Sequence, residues 1–507
     1  MAWHLVCLID ARMHISMGRE DGQDSHQQGP REYCGVVAVY GVDNAALTLY
    51  NGLFALQHRG QEGAGMVVSD GKILHSCKGM GLVSEVFTGD FAEHLPGRIG
   101  IGHVRYSTTG ASKAVNVQPF LAECRDGMWA IAHNGNLVNA GELRDRYQKQ
   151  GAIFQTTADS EILLHQLADP SYFGQRDRIR VALAELCGAF AFVIARPRCV
   201  YAARDPWGIR PLSLGRLGKG HVVASETCAL QQIGAEFARD VNPGELIKLD
   251  ENGVKSLRFA DVPVNGYGQC VFEQIYFARP NSHVFGQSVY MTRMAIGSRL
   301  ALEQPCDADV VVPIPDSGVL AALGFSHASG IPFELGFIRN HYVGRTFIMP
   351  SPQSRSSSAD LKLAVVPEAV DGRRVVVVDD SIIRGNTIQK RIDVLRRAGA
   401  REVHVRIACP PTRHPCYFGI DFPEANDLVA AGRSEEQICA LCGADSVGYL
   451  SLDGLKSTLT GAEHYCYGCF TGRYVCGTEH VVCKHALEHS GLDQLEDRHH
   501  RYGVMMQ

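Results

Sequence analysis

Apolar positions along this chain follow two different rules. From residue 34 to about 262 they come in short runs, "GVVAVYG", "GAGMVVSD", "GRIGIGHVRYS", "MWAIAHNG", "GAFAFVIA" and "VVASE", separated by Gly-rich turns and by helical patterns over Gly141–Gln150 and Ser160–Leu167. Such runs predict antiparallel sheets accompanied by helices, an α+β layered domain. "FADVPVNGYGQ" (259–269), with one Pro and two Gly, reads as a linker. Beyond it the runs become continuous: "DADVVVPIPDSG" (307–318), "RRVVVVDDSIIRGNT" (373–387) and "REVHVRIACPP" (401–411), with helical stretches such as Ile388–Ala398 between them. Continuous apolar strands alternating with helices predict a parallel sheet buried on both faces, so residues 263–475 form a doubly wound α/β domain. The Ser-rich "PSPQSRSSSAD" (350–360) reads as a mobile surface loop, and the polar tail 476–507 carries no signal.

Residues 1–33 hold one short apolar stretch, Leu5–Ile9, with no basic residue before it, and turn polar from Gly18 to Tyr33. They read as a disordered leader rather than a signal peptide, with Met13 or Met17 as alternative starts.

Composition narrows the function. A chain of 507 residues suggests two or three domains, and 45% hydrophobic with 20% charged residues is ordinary for a globular protein. The net charge of −5 gives no electrostatic case for nucleic acid or an anionic membrane surface. No window of 18 apolar residues implies a membrane span. The 17 cysteines, eight of them between Cys409 and Cys483, lack an export signal that would favour disulfides. Reduced thiols, metal ligands or a nucleophile fit better.

One chemistry-bearing string is Val375–Thr387. Four valines end in Asp379, Asp380 and Ser381, and a Gly-containing turn leads into a helix. Ligands bind at the carboxyl ends of parallel strands. Gly385 permits close backbone approach, and Thr387 with the free N–H groups of the helix start can hold a phosphate. Asp379 and Asp380 can accept from ribose hydroxyls or help position Mg2+. A strand followed by an acidic cap is the plain alternative, but the whole string resembles the phosphoribosyl-pyrophosphate (PRPP) motif of type I phosphoribosyltransferases. That resemblance implies that Arg384, Gly385, Asn386 and Thr387 bind PRPP. It makes "VVVPIPDSG" the pyrophosphate loop, with Ser317 helping to hold magnesium, and 350–363 a lid.

A second constellation begins at Cys34, inside the chain rather than at its end. "LQHRGQEGAG" (56–65), "GIGHVRYSTTG" (100–110), "IAHNGNL" (131–137) and "TTADSE" (156–161) follow it. Each is weak alone, since a lone Cys is usually a buried hydrophobe and HNG a turn. In this order they resemble class II glutamine amidotransferases, of the N-terminal-nucleophile hydrolase fold. A thiol of pKa ~8.5 needs a base, and a free α-amine of pKa ~7.7–8.0 on the same residue supplies one. The resemblance therefore implies a propeptide, residues 1–33, cleaved just before Cys34. It also implies an oxyanion hole from Asn134 and Gly135, with Arg105 on the glutamine carboxylate and Asp159 on its α-ammonium.

Two further signals are Cys439-x-x-Cys442 and Cys466-x-x-Cys469, whose spacing alone suggests a zinc ribbon. Enzymes that join the two modules above include a group with a [4Fe–4S] cluster, and its ligands match Cys270, Cys416, Cys466 and Cys469, leaving Cys439 and Cys442 without a role. Free thiols are the third reading.

Together the resemblances imply that ammonia released from glutamine at Cys34 is transferred to C1 of PRPP, the opening step of de novo purine synthesis. They imply Mg2+ and a [4Fe–4S] cluster as cofactors, purine nucleotides as inhibitors, a homotetramer, a cytoplasmic location, and neither nucleic acid nor membrane as partner. An amidotransferase acting on another acceptor is disfavoured by "VVVVDDSIIRGNT". A PRPP-sensing regulator is disfavoured by the intact nucleophile set and the acidic chain.

Overall fold

The computed structural model describes residues 34–106, 113–172, 177–264, 266–340, 363–420 and 425–476. The leader, the proposed lid up to residue 362 and the tail beyond Cys476 lie outside them.

Thirteen strands build the first domain: β1 (Gly35–Tyr40), β2 (Gly63–Ser69), β3 (Leu74–Met80), β4 (Ile99–Arg105), β5 (Phe120–Cys124), β6 (Gly127–Leu137), β7 (Gly188–Arg196), β8 (Cys199–Arg204), β9 (Ser213–Leu217), β10 (Gly220–Ala224), β11 (Glu236–Asp240), β12 (Glu245–Asp250) and β13 (Gly253–Arg258). They form two antiparallel sheets, ordered β11-β9-β10-β1-β4-β2-β3 and β13-β12-β8-β7-β6-β5. Val36, Ala38, Val67 and Ile101 from the first sheet meet Ala130, Ala132, Ala191 and Val193 from the second in one core. The alternate residues Val37, Val39 and Met66 pack under the helices Ala45–Ala55 and Thr227–Gln232. On the far side Ile131, Phe190 and Phe192 pack under helices Ala140–Lys149, Glu161–Ala168 and Arg178–Ala184. The result is a helix–sheet–sheet–helix sandwich. Because β1 is buried on both faces, its residues need no polar alternation, which is why "GVVAVY" is uniformly apolar.

The second domain opens with β14 (Gln269–Cys270), a π-helical turn Glu273–Phe277, and the hairpin β15 (His283–Val284) and β16 (Gln287–Ser288). Its main sheet comprises β17 (Val310–Pro313), β20 (Arg374–Asp379), β21 (Glu402–Ile407) and β22 (Ser446–Tyr449), all parallel. The pair β18 (Phe337–Arg339) and β19 (Leu363–Val365) flanks it, and β23 (Tyr465–Cys466) returns to pair with β14. Phe333 bridges to Val311 on the open side of β17. In chain order the sheet therefore runs 2-1-3-4-5, a doubly wound order whose direction reverses between β17 and β20. Val375–Val378 are wholly buried.

The expected linker is not a free one. Phe259 is buried in the first domain, and backbone N–H groups of Gly268 and Cys270 donate to the carbonyls of Trp207 (2.7 Å) and Ile209 (3.1 Å). Aromatic and backbone groups that find partners override the Pro/Gly signal. Val138, Ala189 and Ile209 of the first domain share a core with the second. Among the described residues no helix is long and apolar enough to cross a membrane.

Candidate active site

Cys34 precedes β1 and is 7% exposed, with its Sγ 3.4 Å from the carbonyl oxygen of Tyr106. Burial pushes the thiol up to about 11, an effect that the nearby Arg105 guanidinium opposes and that Glu62 and Asp159 reinforce. A buried thiol of this kind yields no thiolate at neutral pH without a base beside it. Arg105, at the end of β4, is buried and pairs with Glu62 at 3.4 Å. Asp159, buried, accepts from the Leu137 N–H (2.8 Å) and lies 3.6 Å from His133 Nδ1. Arg105, Glu62 and Asp159 are all near enough to Cys34 to act on its charge.

Asn134 and Gly135 occupy β6 opposite Ala191 and Phe190 of β7. Asn134 is fully buried, yet neither its Nδ2 nor its Oδ1 has a hydrogen-bond partner among the described residues. An orphaned buried amide is unfavourable unless a ligand completes it. Gly135 has φ +147°, and a Cβ there would lie 2.0 Å from the Ala189 carbonyl oxygen. Only glycine fits.

Sequence reasoning overlooked the support beneath Cys34. Arg59, fully buried, donates from Nε to the Cys34 carbonyl (3.3 Å) and pairs with Glu226 and with Glu273 (2.6 Å). The two carboxylates raise the guanidinium against its burial, and His58 and Arg59 hold Glu226 well below the carboxylate range against its own. Glu273 belongs to the second domain, so this network ties the nucleophile to its neighbour. The one available signal was a charged residue within the quoted "LQHRGQEGAG".

At the second site, the loop after β17 crosses the end of β20: the Ile314 N–H donates to the Val378 carbonyl (2.9 Å). The Ser317 side chain hydrogen-bonds Asp380, and the Ser381 hydroxyl donates to Asp380 at 2.6 Å. Both expected loops thus converge at the topological switch point. Burial first, then the neighbouring Asp380 charge, raises Asp379 well above the usual carboxylate range; burial raises Asp380 as well. Two buried adjacent carboxyls are what a divalent cation or ribose hydroxyls would relieve. Gly385 (φ +85°) precedes helix Asn386–Arg397, whose start has no side-chain cap, leaving N–H groups open to an anion. Asn386 is exposed, and Arg384 and Thr387 are half-buried beside it.

Cys270 and Cys466 sit in register across β14 and β23, and with Cys416 and Cys469 they line one small cavity of about 20 Å³, walled by apolar groups such as Phe272 and Phe418. Burial and mutual repulsion push Cys466 up to about 12 and Cys469 well above the thiol range. Cys439 and Cys442 lie elsewhere: Cys439 Sγ is 3.2 Å from the Ala444 carbonyl, and Cys442 is core. The two C-x-x-C pairs do not converge as a ribbon requires.

A nucleophile set in an antiparallel sandwich beside a PRPP-type switch point defines a glutamine amidotransferase module joined to a phosphoribosyltransferase module. Family models agree: one described as a glutamine amidotransferase domain matches residues 103–232, and one described as a phosphoribosyl transferase domain matches 295–423. Amidophosphoribosyltransferase 1, chloroplastic, of Arabidopsis thaliana is 50% identical over 89% of this chain and 80% of its own length. The amidophosphoribosyltransferase of Bacillus subtilis is 45% identical over 88% and 95%. A solved B. subtilis glutamine PRPP amidotransferase, complexed with ADP and GMP, superposes with TM-score 0.84 at 44% identity, covering 89% of this chain and all of that one. This chain belongs to the amidophosphoribosyltransferase family.

Proposed function

We propose that the two sites run the family's reaction in sequence: glutamine hydrolysis at Cys34, then attack of the released ammonia on C1 of PRPP. The Cys34 Sγ attacks the side-chain amide carbon while the α-amine of the same residue, freed by removal of residues 1–33, takes the thiol proton. Asn134 Nδ2 and the Gly135 N–H stabilise the oxyanion, the C–N bond breaks, ammonia leaves, and water hydrolyses the thioester to glutamate. Arg105 and Asp159 hold the two ends of the amino acid. At the second site the C1–O bond to pyrophosphate breaks as ammonia bonds to C1, giving 5-phosphoribosylamine and pyrophosphate. Asp379 and Asp380 hold the ribose end, and the helix start at Asn386–Thr387 with Arg384 and Gly385 holds the 5-phosphate. The observation that carries the glutaminase half is the fully buried, unpartnered amide of Asn134.

Mg2+ fits the raised acidic pair with Ser317, where it would neutralise charge on the leaving pyrophosphate. A [4Fe–4S] cluster fits the four thiols. The four thiols line one small apolar cavity, and among the described residues no three His, Cys, Asp or Glu side chains are set as ligands of a single metal ion. The cluster would act as a clip between β14, β23 and the Cys416 segment. Purine-nucleotide inhibition, a homotetramer and a cytoplasmic location complete the reading; relatives in plants are named chloroplastic.

One pair of assays tests the division of labour. Cys34→Ala is expected to lose glutamine-dependent synthesis and to keep synthesis from ammonium salt at raised pH. Asp379→Asn with Asp380→Asn is expected to lose synthesis from either source and to keep some glutamine hydrolysis. A well-folded Cys34→Ala protein without ammonium-dependent activity would refute it.

A further inference from the structure

The strand that carries the oxyanion donors does not end against its own domain. Asn136 Nδ2, two residues beyond Asn134, donates to the Tyr417 carbonyl of the second domain at 2.9 Å. Arg210, fully buried in the first domain, donates through Nη2 to the carbonyl of Phe418. Gly419 follows with φ +105°. A Cβ there would stand 2.8 Å from Arg210 Nη2, 3.2 Å from the Gly135 carbonyl carbon and 3.3 Å from its oxygen. Three successive residues of the second domain are thus held beside the peptide that carries an oxyanion donor: Tyr417 and Phe418 accept hydrogen bonds from the Asn136 and Arg210 side chains, and Gly419 lies close to the Gly135 carbonyl.

We propose that the Tyr417–Gly419 strap and its two anchors, Asn136 and Arg210, are positioning elements of the glutaminase site: they fix the Gly135 peptide so that its N–H and the Asn134 amide point at the developing oxyanion. This rests on the oxyanion roles assigned above. The physical argument is one of stiffness. Gly135 sits at φ +147°, a conformation its own side chain cannot enforce, and the donor must stay within a few tenths of an ångström of its target to act in the transition state. A fully buried guanidinium on a backbone carbonyl, an amide hydrogen bond and a glycine-to-glycine contact supply that rigidity from across the domain boundary. None of the three is among the groups assigned to the substrate, so their effect is expected on turnover rather than on binding. The strap directly follows Cys416, one of the four cavity thiols.

Asn136→Ala removes one anchor from the first domain, and Gly419→Ala pushes a methyl group toward Gly135 from the second. Each is expected to lower kcat for glutamine hydrolysis, measured with saturating PRPP, by at least about tenfold, with KM for glutamine within about twofold. Ammonium-dependent synthesis should stay near wild type in the same preparations. Wild-type kcat in both variants, a loss confined to KM, or a proportional loss of ammonium-dependent synthesis overturns the proposal. Should Gly419→Ala not yield ammonium-active protein, Asn136→Ala alone decides. Asn134→Ala separates the layers: if it hydrolyses glutamine normally, the oxyanion assignment fails; if it is inactive while both strap variants are normal, only the positioning proposal fails.

Discussion

At the scale of single residues, the first domain turns on Arg59. It lies at the centre of three charged or polar partners, Glu226, Glu273 and the Cys34 carbonyl, with its side chain wholly out of water. Removing the cation would leave the Glu273 carboxylate in a dry interior with Arg210 only at 3.9 Å, while Glu226 keeps His58 and Ser282 (2.7 Å each), a loss of about 3–5 kcal/mol for a broken buried pair. Arg59→Met is therefore expected to lower the denaturant midpoint sharply, and Arg59→Met with Glu273→Gln to recover part of the loss, because one orphaned charge is gone. Equal midpoints for the single and double variants would show that the pairs contribute little. This network was not legible in the sequence: Arg59 is separated from Glu226 by 167 residues and from Glu273 by 214, and nothing local marks the meeting. Cys34, Asn134 and Gly135 were legible because each lies in a short string whose chemistry is self-contained.

At the scale of elements, β20 shows function set against stability. Its four valines are buried on both faces, so the strand reads as a continuous apolar run, and the run ends in two carboxyls that burial raises. A carboxyl whose folded pKa lies above its unfolded value weakens the fold as pH rises through that range, and at neutral pH the pair repels. Asp379→Asn should then raise Tm by a few degrees while abolishing PRPP-dependent synthesis, in the pattern of stability exchanged for activity. An unchanged or lower Tm would show the pair to be unstrained. The short strands β14 and β23 place Cys270 and Cys466 in register. With the proposed cluster in place, wild type purified without oxygen is expected to be brown and Cys466→Ser colourless, with iron well below about four per chain; equal iron in both would exclude Cys466 as a ligand. Helix Ala45–Ala55 was missed because "AALTLYNGLFA" carries an internal Gly and exposes Leu47 and Phe54, which blurs its period.

At the scale of the whole molecule, the two sheets of the first domain are joined through His103 on β4, whose Nε2 is 3.1 Å from the His133 carbonyl on β6. Burial pushes His103 down to about 3. Its folded value lies below the unfolded value of about 6.5, so the unfolded chain binds the extra proton on acidification. The corresponding stability is present above pH ~6.5 and is lost as pH falls from there toward 3. Thermal scans should show Tm falling over that window, and His103→Gln should flatten the fall in its upper part, near pH 6.5–5, where few carboxylates titrate. An identical pH profile for the variant would remove His103 from the account.

What the sequence by itself determined is whatever a contiguous stretch can carry: the apolar runs of β1 and β20, the turn glycines, the thiol that needs a base and the acidic pair at a strand end. Those follow from backbone geometry and side-chain chemistry within a few residues. Only the tertiary structure decided that Ser317 meets Asp380, that Arg59 reaches the Cys34 carbonyl, that four cysteines from three segments surround one cavity, and that Tyr417 lies on Asn136. Such meetings depend on sheet order and domain packing, where hundreds of weak contacts summed over the chain choose one arrangement, and no local pattern encodes that sum.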